Sequence, residues 1–205
     1  MSTTKIAIVI YTTYHHIFKM AQAIKVGLDK VPGVETTIFQ VAETLPQEVL
    51  ERIHAPPKPD LPIATANDLV QYDGFLFGIP TRYGNQPAQW RSFWDAAGGL
   101  WAKGALQGKF AGTFFSTASQ HGGQETTALT FLTTLTHFGI NYVPLGFPHP
   151  ALTDNSEVIG GGPYGAGTIA NGDGSRQPSE KELSIANTQG ELFGKIVAQF
   201  NRGKQ

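Results

Sequence analysis

The sequence predicts an α/β fold, a doubly wound sheet of five parallel strands with helices on both faces. Two observations support this prediction. Short apolar segments typical of strands buried on both faces, such as residues 5–11, alternate with segments whose apolar residues recur at helical spacing. The chain of 205 residues, 40% of them hydrophobic, is long enough for the core of one domain spanning residues 1–205.

The N-terminal part of the chain predicts a β-α-β unit. The strand at residues 5–11 is followed by a polar loop and then by apolar residues at helical spacing over residues 17–28. A Pro-Gly pair at residues 32–33 ends this helix, and residues 35–40 form the second strand. Such a unit places its two strands parallel, joined by a right-handed crossover.

The middle of the chain predicts a third strand after a stiff connection. Residues 44–53 favour a short helix, and the proline-rich residues 55–62 favour an extended segment. A short capped helix over residues 65–72 then leads into a strand at residues 74–79. Pro80 cannot donate to a sheet ladder, so this strand should end there.

Alternating helices and strands continue towards the C-terminus. We predict a helix over residues 87–97, a strand over 110–116, a helix over 124–138 and a short fifth strand over 141–145. The predicted core face of the helix over residues 124–138 consists of Ala128, Leu129, Leu132 and Leu135.

The C-terminal part combines a helix start with a glycine-rich segment. Ser179 and Glu182 form a Ser-x-x-Glu capping box, which predicts the start of the last helix. Ahead of it, residues 158–177 contain seven glycines from Gly160 to Gly174. This segment is too long for a simple connection, so we expect it to be a lid or an assembly segment.

Composition and charge exclude several classes of function. A net charge of −1 gives no electrostatic footprint for nucleic acid, and no cysteine is present to act as a nucleophile or thiolate ligand. No apolar run approaches the ~20 residues that span a bilayer, and the N-terminus lacks a signal-peptide pattern. His15 and His121 have no third ligand at fitting spacing, so no metal site is predicted. We expect a soluble cytoplasmic protein without integral membrane association.

Three polar loops should meet at the carboxyl edge of the sheet, where open α/β sheets bind their ligands. Residues 12–16 precede a helix N-terminus and suit a phosphate monoester, although an ordinary polar helix cap fits them equally well. They match neither the Gly-x-Gly-x-x-Gly nor the Walker A pattern. Residues 80–85 follow the third strand, and residues 116–124 follow the fourth.

Three longer stretches carry a resemblance to a known family. They are Pro-Thr-Arg-Tyr-Gly-Asn at residues 80–85, Gly-Gly-Leu-Trp-Ala-Lys-Gly-Ala-Leu at residues 98–106, and residues 165–179. In these stretches the chain resembles the WrbA family of FMN-dependent NAD(P)H:quinone oxidoreductases. Its fungal members are the most similar, through residues 41–49.

The resemblance implies a flavodoxin-like fold, one FMN per subunit and a homotetramer built as a dimer of dimers. It also implies that NAD(P)H reduces small quinones to hydroquinones by two electrons, with no covalent or acid–base catalytic side chain because FMN carries the chemistry. Tyr14 and Trp101 would bind the substrates, with Trp101 reaching a neighbouring subunit's pocket. By motif, the FMN-binding residues are Thr12, Thr13, Tyr14, His15, His16, Ile17, Pro80, Thr81, Arg82, Tyr83, Gly84, Asn85, Ser116, Thr117, Ala118, Ser119, Gln120, His121, Gly122 and His137.

The chain departs from the family pattern at three positions around the flavin site. His15 stands where glycine is usual, the third loop reads Ser-Thr-Ala-Ser-Gln-His instead of beginning Ser-Thr-Gly-Thr, and Phe138 replaces the second residue of a His-His-Gly motif. These departures keep an alternative open, a flavodoxin-like binding or regulatory protein with weak or lost FMN binding and no quinone reductase activity. A one-electron carrier is less favoured because the chain is nearly neutral, and an α/β hydrolase lacks its Gly-x-Ser-x-Gly turn.

Overall fold

A computed structural model describes residues 3–203 and has a mostly parallel sheet with helices on both faces. The strands are β1 (Thr4–Ile10), β2 (Val34–Gln40), β3 (Gly74–Pro80), β4 (Phe110–Thr117), β5 (Asn141–Tyr142), β6 (Gly160–Gly162) and β7 (Gly165–Ile169). The α-helices are α1 (His16–Leu28), α2 (Gln47–Arg52), α3 (Ala88–Asp95), α4 (Gly98–Ala102), α5 (Gln124–His137) and α6 (Glu180–Gly203). Short 3₁₀ helices lie at Ala66–Gln71 and Pro150–Thr153.

The sheet confirms the predicted fold class but has seven strands instead of five. Its order is β2-β1-β3-β4-β7-β6, with β5 also paired to β4. All pairs are parallel except β6 with β7. The order reverses between β1 and β3, and the loops after these strands therefore leave the carboxyl edge beside a crevice.

The fifth strand of the predicted sheet is split in two. β5 pairs with Phe110 and Ala111 at the start of β4, whereas β7 pairs with Phe115, Ser116 and Thr117 at its end. The predicted strand over residues 141–145 is therefore shorter than expected, since Pro144 has no N–H to continue the ladder. The glycine-rich residues 158–177, expected to form a lid or an assembly segment, supply β6 and β7, two strands that the sequence did not predict.

Each face of the sheet has its own hydrophobic core. One contains Phe77, Trp90 and Phe131 beneath α3 and α5, and the other contains residues of α1 and α6. On α5 the buried aromatic residue is Phe131, whose ring lies 5.4 Å from that of Phe77. Leu129, predicted on the core face, is 47% exposed because the helix is turned to bury Phe131 instead.

The helix that begins at the predicted phosphate loop is packed closely against the last helix. A β-carbon at Gly190 of α6 would lie 2.1 Å from the carbonyl oxygen of Ile24 in α1. One at Gly27 of α1 would lie 1.9 Å from the carbonyl oxygen of Asn187. The two glycines therefore let the backbones of α1 and α6 approach each other. In the described part of the chain, no helix has both the length and the apolar character needed to cross a bilayer.

Candidate functional site

A cleft of about 320 Å³ lies at the carboxyl edge of the sheet. Its walls come from the loops after β1, β3, β4 and β7, four strands that run parallel. This volume is within the range of ligand sites. The lining residues are Thr12, Thr13, Tyr14, His16, Ile17, Pro80, Thr81, Arg82, Ser116, Thr117, Ala118, Ala170, Asn171, Gly172, Asp173 and Gly174.

The loop after β1 has the features of an anion site. Among the hydrogen bonds formed within residues 3–203, none uses the main-chain N–H groups of residues 12–18 as donors. No side chain in this described part of the chain caps the N-terminus of α1 either. The hydroxyls of Thr12 and Thr13 lie on the same loop, and both residues line the cleft. Unpaired N–H groups at a helix N-terminus favour a bound anion such as a phosphate group.

His15 takes the backbone conformation that glycine favours. Its φ is 67° and its ψ is 0°, in the left-handed region. The imidazole does not line the cleft. Its Nε2 lies 2.9 Å from the carbonyl oxygen of Pro57, and its ring meets Phe18 edge-on. The loop thus keeps a glycine-like conformation despite the β-carbon, and the side chain extends to the proline-rich segment.

The loop after β3 is a tight turn that directs Arg82 towards the cleft. Arg82 and Asn85 exchange two main-chain hydrogen bonds, and Tyr83 and Gly84 between them have φ of 53° and 76°. The Arg82 guanidinium donates to the carbonyl of Thr81 at 2.8 Å and lies 3.4 Å from Thr13 Oγ1. Tyr83, Gly84 and Asn85, predicted to contact FMN, do not line the cleft, and Tyr83 is fully exposed at the tip of the turn.

The loop after β4 divides between two depressions. Ser116, Thr117 and Ala118 line the cleft. Gln120 and His121 instead line a neighbouring shallow depression beside Ile159 and the start of α5, while Ser119 and Gly122 line neither. The Thr117 hydroxyl donates to the carbonyl of Ser119 at 2.7 Å and so folds the loop back on itself.

The fourth wall of the cleft was missed by the sequence prediction. It consists of residues 170–174, which follow β7. The signal was present in the family-like stretch at residues 165–179, but β7 itself was not predicted. The imidazole Nε2 of His16 lies 2.8 Å from the carbonyl oxygen of Arg176 and thereby ties this wall to the first loop.

A buried carboxylate holds the fourth wall in place. Glu182 is completely buried near the start of α6. Its oxygens accept hydrogen bonds of 2.8–3.2 Å from the N–H groups of Gly160, Ile169 and Ser179, the hydroxyl of Thr168 and the guanidinium of Arg176. The Ser179–Glu182 capping box is thus confirmed, and its carboxylate also fixes β6, β7 and Arg176.

A second, partly buried network lies behind the first loop. Glu43 accepts hydrogen bonds from Tyr11 Oη at 2.9 Å and Gln89 Nε2 at 2.8 Å, and forms an ion pair with Lys58 at 2.6 Å. Burial opposes ionisation of Glu43, but these hydrogen bonds and that of the Leu45 N–H prevail and lower its pKa to about 2. Burial and the nearby Glu43 charge raise the pKa of Tyr11 to about 12.

Two further predicted site residues lie away from the cleft. His137 ends α5, about 20 Å along the helix from the loop that enters the cleft. Within one chain the helix therefore carries it to the opposite edge of the sheet, near Trp94 and Phe138. Trp101 lies in α4, outside the cleft lining, and is 58% exposed. Tyr14 does line the cleft, and its hydroxyl donates to the carbonyl of Ile53 at 2.8 Å.

The chain is similar in sequence to a known protein family and to named relatives. Residues 14–148 match the family described as NADPH-dependent FMN reductase. The NAD(P)H quinone oxidoreductase PST2 of Candida albicans is 54% identical over 202 residues, which are 98% of this chain and 100% of the relative. The NAD(P)H quinone oxidoreductase PST1 of the same yeast is 56% identical over 197 residues, 96% of this chain and 99% of the relative.

A solved structure supports the fold. The flavodoxin, WrbA-like protein from Agrobacterium tumefaciens matches with a TM-score of 0.65 and covers 96% of this chain and 99% of its own. At 20% sequence identity this likeness concerns the fold alone. The flavodoxin-like architecture expected from the sequence is confirmed.

Proposed function

The chain belongs to the NADPH-dependent FMN reductase family, and on this premise we propose that it binds FMN in the cleft and uses NAD(P)H to reduce quinones to hydroquinones. The membership predicted from the sequence motifs is confirmed by relatives named NAD(P)H quinone oxidoreductase at 54% and 56% identity over nearly the full chain. Similarity of that extent supports the same class of reaction for this chain.

The observation that carries the proposal is the row of unpaired N–H groups at residues 12–18. A phosphate monoester fits this row because its oxygens accept several hydrogen bonds and its charge suits the helix N-terminus. Thr12 and Thr13 add hydroxyl donors, and Arg82 adds a guanidinium above Thr13. FMN carries such a phosphate, so these residues would hold that end of the cofactor.

The remaining walls suit the rest of a flavin. Thr81 and Arg82 would bind the ribityl chain, and Ser116, Thr117 and Ala118 would border the ring. Bound FMN supplies the hydride transfer between nicotinamide and quinone, whereas the protein supplies binding, orientation and electrostatics. Main-chain N–H groups and Arg82 favour negative charge in the cleft. Tyr14, 43% exposed at the cleft, offers an aromatic face to a planar substrate.

Assembly and location complete the proposal. We assign the chain to homotetramers, a dimer of dimers, in which the exposed Trp101 extends into another copy's pocket. His137 and the third-loop residues that lie outside the cleft would then contact flavin or substrate only across a subunit interface, at the cleft of a neighbouring copy. We place the activity in the cytoplasm, where NAD(P)H is available as the reductant.

Spectroscopy and a coupled assay test the function. The purified protein is mixed with micromolar FMN, separated from free flavin, and given NADPH with or without 1,4-benzoquinone. We expect about one bound FMN per chain and NADPH oxidation that depends on the quinone. Absence of bound flavin, or of quinone-dependent oxidation, would overturn the proposal and favour the alternative of a flavodoxin-like binding protein without reductase activity.

A further inference from the structure

The proline-rich segment at residues 55–62, here called the strap, lies against the outer side of the first loop. Lys58 donates from Nζ to the carbonyl of Thr12 at 2.7 Å. One residue earlier, the Pro57 carbonyl lies 2.9 Å from His15 Nε2. One residue after Lys58, the Pro59 carbonyl accepts from the side chain of Gln40 at 2.9 Å. The strap thus contacts both the phosphate loop and the end of β2.

The contact with Thr12 fixes the orientation of a peptide group in the loop. In a planar trans peptide, the carbonyl of one residue and the N–H of the next point in opposite directions. Lys58 lies on the strap and holds the Thr12 carbonyl on that side. The N–H of Thr13 must therefore point away from the strap. Thr13 lines the cleft, and its N–H has no partner among residues 3–203.

Lys58 is itself held by its surroundings. Its ammonium forms an ion pair with Glu43 at 2.6 Å and lies 4.6 Å from the centre of the Tyr11 ring. Glu43 in turn accepts from the N–H groups of Thr44 and Leu45 at 2.9 and 3.0 Å. Because Glu43 neutralises the ammonium, the contribution of Lys58 to the loop is mainly one of geometry and not of added positive charge.

We propose that Lys58 is a positioning residue for the cofactor's phosphate group, acting through the peptide between Thr12 and Thr13. In this role Lys58 contacts other protein residues and not the cofactor, and it orients the Thr13 N–H towards the phosphate. The inference rests on the proposed function, since it requires that the anion in the loop be the phosphate of FMN. It assigns to the strap a role in discriminating phosphorylated flavin from riboflavin, which lacks that group.

Paired flavin titrations test this role. Apoprotein is titrated with FMN and with riboflavin, and quenching of flavin fluorescence gives both dissociation constants. For Lys58→Met we expect FMN affinity to fall about tenfold, because one charge-assisted hydrogen bond that orients the loop is lost. Riboflavin affinity should stay unchanged. Lys195→Met is the matched control, since within residues 3–203 this exposed lysine pairs only with Glu191 on α6, and neither affinity should change.

Two further outcomes separate positioning from general damage. Lys58→Arg restores a donor on a flexible stem and should recover most of the preference for FMN over riboflavin. An equal loss of FMN and riboflavin affinity in Lys58→Met would overturn the inference, as would an unchanged FMN affinity. If the wild type binds no FMN, the proposed function fails. Tight FMN binding by the wild type with no effect of Lys58→Met refutes this inference alone.

Discussion

The His16 imidazole and the Arg176 carbonyl are joined by a hydrogen bond of 2.8 Å, although 160 residues separate them along the chain. A carbonyl oxygen only accepts, so Nε2 of His16 carries the proton and donates it. The bond joins the loop after β1 to the loop after β7. It thereby closes one side of the cleft.

We expect acidification to destabilise the folded protein through His16. Burial lowers the pKa of His16 below its usual 6.5, so the unfolded chain takes up a proton more readily than the folded one. The stability associated with neutral His16 is complete above pH 6.5 and is lost as the pH falls through 6.5 towards the folded pKa. Urea unfolding of the wild type and of His16→Gln at pH 7.5 and at pH 5.5 measures how much of the free energy of unfolding each protein loses on acidification. The wild type should lose more stability than the variant, which keeps an N–H donor but does not titrate; equal losses would contradict the prediction.

Removing the buried carboxylate of Glu182 should destabilise the fold severely. Glu182→Ala leaves Arg176 without its buried partner and three main-chain N–H groups without an acceptor. We expect a loss of about 3–5 kcal/mol in the free energy of unfolding, measured by urea denaturation. The control is Glu191→Ala in the same helix, where the carboxylate forms exposed ion pairs and little change is expected. Equal effects of the two substitutions would refute the role given to Glu182.

The left-handed conformation of His15 predicts an order of stability among variants. His15→Gly loses the contact with Pro57 but relieves the strain at a φ of 67°, so its stability should stay close to that of the wild type. His15→Val places a β-branched side chain at the same φ and should cost about 2 kcal/mol relative to His15→Gly. Urea unfolding midpoints of the two variants provide the measurement. A valine variant as stable as the glycine variant would show that the loop does not hold this conformation in solution.

Close contact between α1 and α6 predicts sensitivity to a single methyl group. Gly190→Ala would place its β-carbon 2.1 Å from the Ile24 carbonyl oxygen, so the helices must move apart, at a cost of about 2 kcal/mol. Gly203→Ala, at the end of the same helix, meets no atom of the described residues within 4 Å and should leave stability unchanged or slightly raised. Thermal unfolding of both variants checks the difference. A harmless Gly190→Ala would argue against the tight helix contact.

The strands that are rich in large apolar residues could be predicted from the sequence. β1, β3 and β4 are runs of buried apolar or aromatic residues, and the rule that parallel strands present their loops at one edge located most of the cleft. Residues such as Thr12, Thr81 and Ser116 therefore line the cleft, as their position after parallel strands predicts.

The sequence did not reveal β7, because its residues are small for a packing reason. A β-carbon at Gly167 would lie 2.3 Å from Gln124 Oε1, and one at Gly165 would lie 1.8 Å from the Thr113 carbonyl oxygen. Because these positions are glycines, the strand lacks the β-branched residues from which a buried strand is usually predicted. Without β7 the strand pattern alone does not place residues 170–174 in the wall of the cleft. The prediction that His137 binds FMN rests on the family motif alone. The motif does not indicate how far α5 separates His137 from the cleft.

A crystal structure of the FMN complex tests the central claim most directly. We predict FMN in the cleft between the loops after β1, β3, β4 and β7. We also predict phosphate oxygens within about 3.2 Å of main-chain nitrogens of residues 12–18, among them that of Thr13. FMN bound elsewhere on the chain would contradict this prediction. So would FMN bound in the cleft with its phosphate directed to solvent, away from the N–H groups of this loop.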